Sequence, residues 1–253
     1  MAIQIGILGY GQIGHAIEKL YLENKGEHPV LVMKDDIDQK EINGYVDVLH
    51  VCIPYKDRND FLYVVEGYLN DFIPEITIIH STVGIGTTET LSGKHPVVHS
   101  PMRGVHPDLY GGLMHFDKYI GADTEQAGAM AEAHLREYGV KTFLVNGSRN
   151  TEAGKLWSTS QYGFNIIMQK HIKSFCDAHG LDFNVVYTEF NQSYNRGYER
   201  LNNDKYRKYV LDHMDGEIGG HCIVPNWEIM FNEHGDLMCD MMLDMNEMFK
   251  ESK

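Results

Sequence analysis

The apolar run Ile3-Gln4-Ile5-Gly6-Ile7-Leu8 passes directly into Gly9-Tyr10-Gly11-Gln12-Ile13-Gly14 and then into an amphipathic stretch over residues 14–23. A strand, a glycine turn and a helix in immediate succession constrain this chain more than any other feature. Gly9 permits the tight turn, Gly11 lets backbone approach a pyrophosphate, and Gly14 lets the helix pack closely on the strand. Main-chain amides near Gln12 and Ile13 then face phosphate at the positive end of the helix. The expectation is a dinucleotide site. The competing reading is a glycine turn that only packs.

Further apolar runs at 30–33, 46–53, 76–79, 97–98, 119–120 and 142–145 are strand-sized, and several are nearly continuous Ile, Val and Leu. That composition suits strands covered on both faces. Helical stretches lie between many of them, notably 60–70 and 125–138. The alternation predicts a Rossmann-like, doubly wound, mostly parallel sheet over residues 1–148. Only residues 34–43 separate the second strand from Val46, so the sheet is expected to be shortened. From Thr151 to His179, Leu156, Trp157, Phe164, Ile167, Met168, Ile172 and Phe175 follow helical spacing. An all-helical domain over 149–253, built on that long central helix, is expected to serve substrate binding and dimerisation. The step of Met238, Met241, Met242, Met245 and Met248 reads as flexible core or interface filler rather than a metal site or groove.

The 22 Lys and Arg face 36 Asp and Glu, a net charge of -14. That balance argues against a nucleic-acid partner, whose affinity rests on neutralised phosphates. A nucleotide remains possible, because a helix N-terminus holds phosphate without basic residues. No apolar stretch is long enough for a membrane span. Met1 runs straight into a strand pattern, and the four cysteines have neither CxxC spacing nor the density of a disulfide scaffold. A cytoplasmic protein without a metal is expected. After the second strand comes Lys34-Asp35-Asp36-Ile37-Asp38, with Asp35 and Asp36 lying 21 and 22 residues beyond Gly14. Either acid could accept the ribose hydroxyls and repel a 2′-phosphate, which favours NAD over NADP, with Lys34 pulling the other way.

Four segments then recur in order: Asp36-Ile37-Asp38 with Lys40-Glu41-Ile42-Asn43-Gly44; Asp47-Val48-Leu49-His50-Val51-Cys52-Ile53-Pro54; His80-Ser81-Thr82-Val83-Gly84-Ile85-Gly86-Thr87-Thr88; and Gly216-Glu217-Ile218-Gly219-Gly220-His221-Cys222. Together they resemble the UDP-glucose/GDP-mannose dehydrogenase family along essentially the whole chain. The resemblance implies that Ile53, Pro54, Ser81 and Thr82 line the cofactor, with Thr82 a donor over the nicotinamide. It implies a dimer on the long helix and an alcohol oxidised twice by two NAD, through an aldehyde held as a thiohemiacetal. Cys222 then supplies the nucleophile, which needs an accessible thiolate. Lys155, in Glu152-Ala153-Gly154-Lys155, stands where alkoxide develops. Thr159 lies one turn further, where the family carries asparagine. The plainer readings are a buried, inert cysteine and a lysine paired with Glu152.

The departures point to altered chemistry. Met102, in Ser100-Pro101-Met102-Arg103, stands at the family's glutamate, and Asn226 stands at its acid after the cysteine. Neither side chain can move a proton as a carboxylate does. The chain ends about 30 residues after Cys222, so the family's third, nucleotide-sugar-binding domain is expected to be lacking. A two-electron dehydrogenase on a small acid is the alternative, on a faint likeness of residues 99–104 to prephenate dehydrogenases; Arg103 then clamps a carboxylate and His99 or His106 is the base. A non-catalytic dinucleotide-binding protein is the third reading. Arg103, Arg207, His221 and Asn226 are candidate contacts for an anionic substrate; Arg207 belongs to the basic-aromatic stretch 194–209, read otherwise as a solvated face.

Overall fold

A computed structural model describes residues 2–24, 26–220 and 222–250. In chain order its sheet elements and their helices are β1 (Ile3–Leu8), α1 (Gln12–Glu23), β2 (Val30–Asp36), β3 (Gln39–Lys40), β4 (Val48–Val51), α2 (Arg58–Phe72) and β5 (Ile76–Ile79). There follow α3 (Thr87–Ser92), β6 (Val97–His99), α4 (Leu109–His115), β7 (Lys118–Ala122), α5 (Glu125–Glu137) and β8 (Thr142–Asn146). The strands lie in the order β3-β2-β1-β4-β5-β6-β7-β8. All neighbours run parallel except β2 with β3 and β6 with β7. This is the doubly wound Rossmann-like sheet expected from the sequence.

Every residue of β4 and β5 is buried. Successive side chains take opposite faces, as a strand requires. Val48 and Ile78 join Ile5, Ile17, Leu20, Ala131 and Leu135 on one side, whereas Leu49 and Ile79 join Phe61, Val65 and Leu69 on the other. The expected shortening is visible at the edge. After β2 the chain forms only the two-residue antiparallel β3 and then crosses to β4 beside β1, with no helix between.

Two compact units divide the chain between Lys155 and Leu156. The dividing point falls inside α6 (Ser148–His179), because the start of this helix bonds to the sheet unit. The Ser148 amide and hydroxyl reach Asp123 at 2.9 and 2.7 Å, and the Thr151 hydroxyl lies 2.9 Å from His99 Nδ1.

The second unit holds the rest of α6, a π-helical turn (Asn184–Glu189), α7 (Phe190–Arg200), a 3₁₀ turn (Asp204–Tyr206), α8 (Val224–His234) and α9 (Leu237–Glu247). The expectation of helix to the end fails between residues 207 and 223, whose described residues are irregular. Gly216 and Gly220 have φ of 77° and 85°, a region that disfavours helix and suits glycine. Side chains tether this segment instead. Lys170 Nζ donates to the Met214 carbonyl and, at 2.7 Å, to that of Gly216. Asn246 pairs with both backbone groups of Ile218, at 2.7 and 3.1 Å. Of the methionine series, Met242 is buried while Met238, Met241 and Met248 are exposed. Among the described residues, no helix is long and apolar enough to cross a membrane.

Candidate functional site

The three glycines of the first turn do separate work. Gly9 has φ of 92°, and a Cβ there would lie 2.7 Å from the Ile53 nitrogen, so the turn packs directly on the chain leaving β4. A Cβ on Gly14 would lie 2.3 Å from the Gly9 carbonyl oxygen, which fixes α1 against the turn. Gly11 differs. Nothing lies within 4 Å of its added Cβ, and as the N-cap of α1 it supplies no side-chain acceptor to the amides that follow. A helix start whose amides lack a side-chain cap, behind an open glycine, suits a pyrophosphate. Gln12 is exposed and Ile13 half-buried in the first turn of α1, and Gln12 Oε1 accepts from His106 Nδ1 of the loop after β6.

The two adjacent aspartates separate cleanly. Asp35 is 3% exposed, and its carboxylate accepts from the amides of Glu41 and Ile42, at 2.7 and 2.9 Å, and from the Tyr68 hydroxyl. It fastens the short edge of the sheet, its carboxylate occupied by these three donors. Asp36 takes the other face of β2, accepting at 3.2 Å from the Tyr10 amide of the glycine turn. Asp36 is thereby held beside the glycine turn.

Beyond β4 and β5 the chain turns at the same end of the sheet. Ile53 is half-buried and Pro54 exposed. The Ser81 hydroxyl donates to the Ile53 carbonyl at 2.6 Å, joining the two turns, and Thr82 follows half-buried. Glu152, fully buried on α6, accepts at 2.6 and 2.8 Å from the amides of Gly86 and Thr88 at the start of α3. Its carboxylate is therefore a cap for α3. Burial raises its pKa, opposed by those amides.

Lys155 is half-buried, three residues further along α6. Its charge is felt by His99 and Lys118. His99 Nε2 donates to the Ser81 carbonyl at 3.1 Å, so Nδ1 is the acceptor facing the Thr151 hydroxyl. Burial lowers the His99 pKa to about 3. With both nitrogens engaged and no exposure, His99 is a bracket between α6 and the Ser81 turn rather than the base of the small-acid reading. Arg103 is exposed, lying over the rings of Tyr119 and Phe116 at 5.4 and 5.9 Å. Met102 is 4% exposed within the apolar core.

A buried polar ladder escaped the sequence reading. His80 Nδ1 faces the Ser100 carbonyl at 2.9 Å and must donate, so its Nε2 accepts from His50 Nδ1 at 2.8 Å. His50 Nε2 then accepts from the Tyr21 hydroxyl, which accepts in turn from His134 Nε2 at 2.7 Å. Lys118 Nζ closes the ladder, donating to the carbonyls of Ser100 and Pro101 at 2.7 and 2.9 Å. Burial keeps the histidines neutral and lowers the Lys118 pKa to about 7. The available signal was that His50 lies within, and His80 directly after, an apolar run that reads as a strand.

In the second unit, Cys222 is exposed, two residues before α8, and Asn226 is buried in the first turn of that helix. Gly163 of α6 makes this packing possible, since a Cβ there would lie 2.4 Å from Ile223 and 2.5 Å from Trp227. Thr159 is half-buried on α6, and Arg207 is exposed, 3.6 Å from Asp204. His221 lies outside the described residues.

No family model matches the sequence, and no curated protein does. Solved structures do match. The UDP-D-ManNAc dehydrogenase of Pyrococcus horikoshii has a TM-score of 0.74 at 18% identity, over 98% of this chain and 69% of that one. The UDP-N-acetyl-mannosamine dehydrogenase Cap5O of Staphylococcus aureus gives 0.70 at 16%, over 97% and 68%. The 3-hydroxyisobutyrate dehydrogenase of Mycobacterium tuberculosis gives 0.65 at 13%, over 98% and 94%. At these identities the likeness is one of fold, and it is the fold of the UDP-sugar dehydrogenases that the sequence resembles.

Proposed function

We propose that this chain is an NAD-dependent oxidoreductase that interconverts an alcohol and a carbonyl in a single two-electron step. The observation that carries this reading is the open Gly11 cradle, uncapped at α1 and flanked by Asp36. Gly11, Gln12 and Ile13 hold the pyrophosphate, Asp36 the ribose hydroxyls, and Ile53, Pro54 and Ser81 line the remainder. NAD, when bound, would supply the acceptor for the hydride of the carbinol carbon, with the hydroxyl proton leaving to solvent. Lys155 stabilises the negative charge that develops on the substrate oxygen, and Thr82 offers a hydroxyl donor.

A second oxidation requires a base that activates water against a thioester, work that contributes about 10²- to 10⁴-fold. Met102, buried in apolar core, cannot do it, and neither can Asn226. Purified protein with NAD and a panel of nucleotide-sugars and hydroxy acids is expected to yield one NADH per substrate. Lys155→Ala removes that activity, whereas Cys222→Ser lowers it modestly. Two NADH per substrate with a thioester trapped on Cys222 would overturn the reading. The hydroxy-acid alternative is favoured by one observation, the span of 94% of the mycobacterial dehydrogenase chain. Binding of NAD without turnover on any substrate would leave a non-catalytic dinucleotide-binding protein.

A homodimer through α6 belongs to the same proposal. Leu156 is fully buried, but Trp157, Met168 and Phe175 are 38, 59 and 50% exposed. Apolar area of this kind usually marks a partner. Light scattering should give twice the chain mass at micromolar concentration, and a monomer would refute it.

A further inference from the structure

Side chains alternate along a strand, so Lys34 stands on the same face of β2 as Asp36. Its Nζ is 2.9 Å from Glu18 Oε1 on α1 and 4.7 Å from the ring centroid of Tyr10, the second residue of the glycine turn. The Tyr10 hydroxyl donates to the other Glu18 oxygen, and the Tyr10 amide donates to Asp36. A lysine, a glutamate, a tyrosine and the ribose-facing acid therefore form one cluster beside the cradle. The lysine and glutamate side chains are only 21 and 19% exposed. The hydrogen bond to Glu18 raises the Lys34 pKa. Burial pushes Glu18 up, but the bonds from Tyr10 and Lys34 outweigh it and leave the carboxyl below its ordinary value. Both groups are ionised at neutral pH.

Resting on the dinucleotide reading, we propose that Lys34 is a latent 2′-phosphate site held closed by Glu18 and Tyr10, and that this closure contributes to the preference for NAD over NADP. A cation within reach of the ribose 2′ position attracts a phosphate there. Glu18 cancels that cation and Tyr10 covers it. With Asp36 the cluster carries one net negative charge, which repels the 2′-phosphate and leaves ribose hydroxyls free to donate. The sign of Lys34 in the sequence is thus misleading: this basic residue beside the acid is already occupied.

The test compares dissociation constants of NAD and NADP on the full chain by calorimetry. Glu18→Gln keeps a side chain that can meet Tyr10 but removes the charge. It is expected to lower the ratio of the NADP constant to the NAD constant by about fivefold, the upper range for one partly exposed ion pair. Adding Lys34→Met to Glu18→Gln returns the ratio at least to the wild-type value. Lys34→Met alone unbalances Glu18 in the opposite sense and raises the ratio, which serves should Glu18→Gln fail to fold. An unchanged ratio in folded Glu18→Gln, a gain that survives Lys34→Met, or single variants that shift the ratio in the same direction would overturn the closure. Wild-type protein that binds neither dinucleotide would overturn the underlying reading as well, whereas NAD binding with an unmoved ratio removes only the closure.

Discussion

In the sheet unit α1 and α3 each begin at a glycine, and the two starts have opposite fates. At α1 the cap is Gly11, open on its Cβ side and without a side-chain acceptor. At α3 the cap is Gly86, with φ of 94°, and the buried carboxylate of Glu152 fills the place where an anion would sit. Asp36 and Asp35 repeat the contrast on one strand, the first facing the glycine turn and the second bonded inward. A motif residue becomes a binding residue only where the fold leaves its hydrogen-bonding capacity unused.

The hardest test of the contrast is to fill the open start. Gly11 has φ of -80°, which any residue adopts, and nothing stands near its missing side chain. Gly11→Val should therefore leave the fold intact and abolish NAD binding by calorimetry, because the side chain takes the place of the pyrophosphate. Retained affinity in a folded variant would end the dinucleotide assignment. Emptying the plugged start should do the reverse. Glu152→Ala strands the amides of Gly86 and Thr88 and should cost about 3 kcal/mol of stability, from two buried donors left unmet. Urea unfolding measures it, and an unshifted midpoint would show that the carboxylate does not hold α3.

The parts legible in the sequence are those set by local chemistry. The β1 run and the glycine turn were readable because three glycines at fixed spacing have one compatible geometry. The brevity of the chain between Lys34 and Val46 announced the reduced sheet edge. What was not legible depends on which face a side chain takes. Asp35 and Asp36 are chemically equal, and both faces of β2 carry apolar residues, so pattern could not choose between them. Residues 207–223 kept polar and aromatic content compatible with helix, but their backbone groups are answered by Lys170 and Asn246, which are 28 or more residues away in sequence. Lys118 gave no sign at all, since a lysine opening a strand ordinarily faces water.

The interior histidines carry the contrast to its smallest expected effect. His50, His80 and His99 are fully buried with every ring nitrogen engaged, so they belong wholly to the fold. Burial holds all three well below the ordinary value of 6.5. A depressed folded-state pKa gives stability that is complete above 6.5 and is lost as pH falls, because the unfolded chain takes up protons that the folded chain refuses. At pH 6 each histidine should cost about 0.8 kcal/mol relative to pH 8, or about 2.5 kcal/mol for the three. Lys118 acts in the same direction, since its folded value near 7 lies below its unfolded 10.5. Urea midpoints at pH 8, 7 and 6 should therefore decline steadily. His99→Asn should flatten that decline by the share of one histidine while lowering stability at pH 8. If stability were level from pH 8 to pH 6, these histidines would be taking up protons in the folded protein, and the ladder from Tyr21 to Ser100 could not be the closed, neutral structure described.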